Sequence, residues 1–129
     1  VALTSTVAFS SAFTSVMAQQ TDATATADTD ITGGGNLVVT TIEVDALTNS
    51  LGAGLVAYLK LYDNGNPTVG TTAPDMVLPT KGGVRHIFQI SGGGYTFGTA
   101  VSMACVTDGG GDAGTTSPTT DVIVIVASE

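Results

Sequence analysis

The chain has 129 residues, a length that suits one domain with a core of its own. Eleven acids stand against three bases, Lys60, Lys81 and Arg85, for a formal charge of −8, so no basic stripe exists and no nucleic-acid partner is expected. The single cysteine, Cys105, excludes an intrachain disulfide framework, and no stretch approaches the roughly 20 apolar residues of a membrane-spanning helix.

Residues 1–30 form the least patterned region and are expected to be an N-terminal arm or edge segment. Val7, Phe9, Phe13 and Val16 would line one face of a strand pair or pack on a neighbouring subunit, with a short helix around 11–19 as an alternative. Ser15-Val16-Met17-Ala18 has the small residues of a cleavage site but no basic or continuous apolar stretch before it, so no signal peptide is expected. The Thr/Ala/Asp run at 21–30 reads as a loop.

Residues 31–129 are expected to form a β-sandwich domain. After the glycine turn Gly33-Gly34-Gly35-Asn36, Leu37 to Leu47 reads as a long strand whose alternation slips between Val39 and Ile42, which predicts a β-bulge near Thr40-Thr41. Leu55 to Asp63 alternates cleanly, Leu55, Ala57, Leu59 and Leu61 on one face, Val56, Tyr58, Lys60 and Tyr62 on the other. Asp63-Asn64-Gly65-Asn66-Pro67 is a turn. Pro74 and Pro79 bracket a short strand near an edge, since proline has no N–H to give a ladder. Val84 to Ile90 follows, with Val84, His86, Phe88 and Ile90 on one face. Beyond Gly92-Gly93-Gly94 a single long strand is predicted, on which Tyr95, Phe97, Thr99, Val101, Met103 and Cys105 share a face. Asp108 to Pro118 reads as a loop. Asp121 to Ala127 is apolar on both faces and is predicted as a central strand or one covered by a neighbour. Such short strands between turns predict an all-β fold, an antiparallel sandwich or jelly roll of about 7–8 strands.

Groups able to do chemistry are few. His86, the only histidine, shares a face with Val84, Phe88 and Ile90 and reads as a structural or interface residue in preference to a general base. Asp22, Asp28 and Asp30, and separately Asp108 and Asp112, are loop carboxylates of the kind calcium prefers, but neither set has a known calcium-loop spacing, and both read as solvated turns. No glycine cluster is followed by a P-loop Lys-Ser/Thr. Cys105 lies in an apolar run and reads as a buried, inert thiol. Tyr58, Tyr62 and Tyr95 are tyrosines of a core or interface in preference to a sugar platform, there being no tryptophan. No catalytic residue, metal ligand or cofactor is expected.

Charged residues are only 11% of the chain, so the surface rests on Thr, Ser, Asn and Gly. Such a surface is weakly protected against association and suits a protein that sits against partners.

The segment Ala57-Tyr58-Leu59-Lys60-Leu61-Tyr62-Asp63, then Pro67-Thr68-Val69-Gly70-Thr71, Pro74, Met76-Val77-Leu78-Pro79 and Gly94-Tyr95-Thr96-Phe97-Gly98-Thr99-Ala100-Val101-Ser102, resembles small virion structural proteins of tailed phages, a group that includes capsid cement or decoration proteins. The resemblance covers roughly residues 55–107 and carries no catalytic residue. It implies a protein of the capsid exterior that binds the major capsid protein and itself, as a dimer or trimer. The interface candidates are Val7, Phe9, Phe13, Val16, Tyr58, Tyr62, Val122 and Val124. A tail- or fibre-associated protein touching the host through Tyr58, Tyr62 and Asp108–Pro118, and a small glycan-binding domain, are the alternatives.

Overall fold

The computed structural model describes residues 5–8, 16–33, 36–46, 56–118 and 122–128. These contain nine strands and no helix. They are β1 (Ser5–Ala8), β2 (Val16–Gln20), β3 (Leu37–Asp45), β4 (Val56–Asp63), β5 (Met76–Lys81), β6 (Arg85–Gln89), β7 (Tyr95–Phe97), β8 (Val101–Val106) and β9 (Ile123–Ser128). Every pairing is antiparallel. A six-stranded sheet runs β1-β2-β9-β3-β6, with β7 also paired to β3, and a three-stranded sheet runs β5-β4-β8.

The two sheets face each other as a β-sandwich, as predicted. Their inner faces supply the core: Val39, Ile42, Val44, Val122, Val124 and Val126 from one side, Ala57, Leu59, Leu61, Val101, Met103 and Cys105 from the other. Each such aliphatic side chain stabilises the fold by about 1.5–3 kcal/mol on leaving water. The register of β3 on β9 shifts between Val39 and Thr41, which is the predicted bulge. It returns Ile42 and Val44 to the core after the slip in alternation. The apolar terminal strand β9 lies centrally, between β2 and β3.

Two expectations are corrected. The long strand over Tyr95–Cys105 is two strands in different sheets, β7 on β3 and β8 on β4. The break at Gly98–Ala100 has a specific cause. The backbone N–H groups of Gly98, Thr99 and Ala100 donate to the Asp63 carboxylate at 3.0, 2.7 and 3.2 Å, which takes them out of any ladder. The second correction concerns the N-terminal region. Val16–Gln20 is strand, so the helix considered around 11–19 does not include residues 16–19, while residues 11–15 lie outside the described residues. β1 and β2 form an edge hairpin, but residues 23–31 then run along β8. Cys105 N–H donates to Thr24 O, Asp28 and Met103 exchange both backbone bonds, and Ile31 N–H donates to Val101 O. Ala23 and Ile31 are buried in the core. The segment thereby satisfies the edge of β8 that β4 leaves open.

Asp63 gives a prediction of its own. Its three backbone donors hold the carboxyl below the usual carboxylate range. A carboxyl with a depressed folded-state pKa adds stability that is complete above its unfolded value and lost as pH falls through the folded one. Acid titration of the melting temperature should therefore show a limb, below about pH 4, that Asp63→Asn flattens by at most one proton's slope, while lowering stability at neutral pH. An unchanged acid limb would mean that the turn is held by other means.

Candidate interaction surfaces

The outer face of the six-stranded sheet is assembled from residues of opposite parity to the core. Register places Gln19, Ile125, Glu43 and Ile87 side by side across four strands. Flanking rows are Ala127, Thr41 and Gln89 on one side, and Ile123, Asp45 and Arg85 on the other. Ile87 is 60% exposed, the largest such value among the exposed large hydrophobics; Ile123 and Ile125 are half-buried. Arg85 Nε lies 3.3 Å from Glu43 Oε1, so the face partly neutralises its own charge. Isoleucines between weakly charged neighbours make a surface that gains by being covered. Two signals pointed to it: the two-faced apolar pattern of 121–127 and the alternation that puts Ile87 opposite His86 and Phe88.

The predicted interface residues fare differently. Val122 and Val124 have no exposed surface, because β9 turns them into the core. Tyr62 is likewise fully buried, and Tyr58 is half-buried. Both tyrosines lie on the outer face of the small sheet, which residues 107–118 cover. A Cβ on Gly110 would come within 3.0 Å of the Tyr58 ring. Val7 lies in β1 opposite Met17, and Val16 in β2 opposite Ala8 and Ser128; only their backbone is described. Phe9 and Phe13 lie outside the described residues. Of the candidates whose side chains are described, Tyr62, Val122 and Val124 are buried and Tyr58 is half-buried.

Lys60, on the face of β4 opposite Leu59 and Leu61, is fully buried beneath the same loop, its Nζ donating to Ala113 O at 2.6 Å. Burial pushes its pKa down, while the nearby Asp108 and Asp112 push it up. The Asp108-to-Asp112 carboxylates therefore face a lysine ammonium from within the chain. Asp108 Oδ1 also accepts from Thr116 N–H at 2.8 Å. In the other acidic loop, Asp28 accepts from Gln20 Nε2 at 2.7 Å. Among the described residues no group of three or more metal-ligating side chains converges.

At the open side between β5 and β6, Val56, Pro79, Thr80, Lys81 and His86 line a cavity of about 190 Å³. His86 stacks on Phe88 with ring centroids 5.8 Å apart, and among the described residues neither its Nε2 nor the buried Thr80 Oγ1 has a hydrogen-bond partner. A hydroxyl nucleophile needs a base bonded to it, and no such bond joins these two. Cys105 is fully buried and its thiol is pushed up to about 12 by desolvation, far from thiolate chemistry at neutral pH. Tyr95 is 37% exposed, packs edge-on against Phe97 at 4.9 Å and donates to Asp75 at 3.4 Å, which makes it a support for the β7 corner.

Comparison with family models, with curated proteins and with solved structures finds no match to this chain.

Proposed function

We propose that this chain is a tailed-phage capsid decoration protein, which lays the outer face of its six-stranded sheet on the major capsid lattice and stabilises the head. The observation that carries the reading is the cross-strand row Gln19–Ile125–Glu43–Ile87, a β-surface with two isoleucines whose Glu43 is paired with Arg85. The segment that resembles phage virion proteins, roughly 55–107, supplies all of the small sheet together with β6 and β7. A folded ligand that binds only the assembled shell shifts the shell's stability by mass action, and many small contacts repeated over a lattice add up. Self-association as a dimer or trimer belongs to the same reading, since the weakly charged surface favours it.

Heads lacking the protein should melt or burst at lower temperature than complete heads, and re-addition should restore them. Ile87→Asp combined with Ile125→Asp should leave the isolated fold intact and weaken head binding by at least about tenfold, the loss typical of a central contact residue. Equal resistance of heads with and without the protein would defeat the cement reading. Normal head binding by the double variant would defeat the choice of face.

A further inference from the structure

β6 ends the large sheet: β3 pairs with it on one side and no strand follows it on the other. The bonds to β3 decide which of its backbone groups are left over. Ala46 N–H donates to Val84 O, and Ile90 N–H donates to Thr40 O. Both pairs continue the register that sets Ile42 opposite Phe88 and Val44 opposite His86. In an antiparallel ladder, residues that exchange both bonds with one neighbour alternate with residues whose groups turn the other way. The even-numbered residues of β6 therefore bond to β3. Arg85, Ile87 and Gln89 turn their N–H and C=O to the open edge, where no backbone bond meets them among the described residues.

Sheet edges are usually blocked by proline, lysine, a bulge or a covering segment. The small sheet follows that rule on both sides, since residues 23–31 run along β8 and β5 carries Pro79 and Lys81. β6 has no proline, no lysine and an unshifted register on β3. Its centre is the exposed Ile87. The inward side of the seam is unfinished as well: Phe88, Ile90, Met76 and Leu78 pack against the core but stay half-buried. An unpaired edge flanked by uncovered apolar side chains gains on both faces from one more strand.

We propose that the strand added there is β6 of a second copy, antiparallel about a two-fold axis at Ile87, which joins the two large sheets into one. β6 is self-complementary in this register. Only its odd residues offer outward groups, so odd must meet odd, and centring on Ile87 uses all three. Ile87 meets its own mate, and Arg85 meets the second copy's Gln89. That makes about six backbone bonds, two for each pair. Between them His86 lies opposite the second copy's Phe88, which extends the stack these two rings already form within the chain. No like charges face each other across the seam. Charge also permits the approach: β3, β5 and β6 together carry Glu43, Asp45, Lys81 and Arg85, which cancel, whereas the whole chain stands at −8. A two-fold seam closes on itself and makes a dimer, not a trimer. The pairing stands apart from the decoration reading, because no head component enters it.

Sedimentation and amide exchange of the whole chain in solution test this. The amides of Arg85, Ile87 and Gln89 should exchange freely in dilute protein and slow as its concentration rises, while those of His86 and Phe88 stay protected throughout. Gln89→Glu sets an opposite charge against Arg85 of the second copy and should tighten the dimer about fivefold; Gln89→Lys should weaken it about as much. Net charge alone would give the reverse order, since the first variant adds to the chain's negative charge and the second reduces it. Ile87→Pro removes the central outward N–H and no bond to β3, and should weaken association at least about tenfold. A chain that stays monomeric at millimolar concentration would overturn the proposal. So would a trimer, a dimer whose Arg85, Ile87 and Gln89 amides still exchange freely, or Gln89 variants that follow net charge. Should Ile87→Pro not fold, the Gln89 pair decides alone.

Discussion

Phe97→Ala should cost about 3–5 kcal/mol, the range for emptying a buried aromatic site. That is a large share of the about 5–15 kcal/mol a domain of this kind has in total. Phe97 is fully buried, and it ends the strand that leaves the large sheet for the small one. Its ring is held from the side by Tyr95 and belongs to the same cluster as Val39, Leu61 and Val101. The backbone around it is fixed by the Asp63 bonds to the next three residues, so the cavity has little freedom to collapse. The measurement is a denaturant titration, in which the midpoint should fall with the slope unchanged. Tyr95→Ala, at an exposed position, should cost much less. Equal losses at the two positions would show that the corner is held by the ring pair and not by core burial.

Much of the sandwich was legible because its signals are local. The slip in alternation at Val39–Ile42 is a bulge whatever lies beside it. The unbroken apolar run of β9 pointed to a central strand, and β9 does lie between β2 and β3, although its outer face, Ile123 and Ile125, is only half-buried. The misreadings came from partners distant in sequence. Nothing within Tyr95–Cys105 marks Gly98–Ala100 as a break; the cause is a carboxylate 35–37 residues earlier. The two-residue period of β4 says only that Lys60 and Tyr62 share a side. It does not say whether a loop 53 residues later will cover that side. For the same reason an apolar pattern on both faces does not say whether Val122 and Val124 or Ile123 and Ile125 face the core. Period fixes the pair of faces, and the register with β3 decides which is core.

Gly94→Ala should be about as damaging as a core truncation, for reasons of backbone and not of burial. β6 and β7 both pair with β3 on the edge opposite β9, β6 over Thr41–Asp45 and β7 over Leu37–Val39, and the chain passes from one to the other through residues 90–94. Ile90 N–H donates to Thr40 O, so this crossing is anchored at the bulge. Gly94 has φ +102, and a Cβ there would stand 2.6 Å from Val38 Cγ1 and 2.7 Å from Val39 O. A strained φ adds about 1–3 kcal/mol, and the overlap with β3 backbone adds an overpacking cost of about the same size. The expected loss is about 2–6 kcal/mol, or roughly 4 °C in melting temperature per kcal/mol for a domain of this length. Gly93 is the control, because its φ of +87 is as unusual but a Cβ there meets nothing within 4 Å. Gly93→Ala should therefore show the conformational cost alone, and the difference between the two variants measures how closely the crossing is pressed onto the bulge. Similar losses in both would mean that β3 yields to the added methyl. The bulge would then be a flexible corner of the large sheet instead of the fixed point that aligns β6, and with it Ile87, on the proposed binding face.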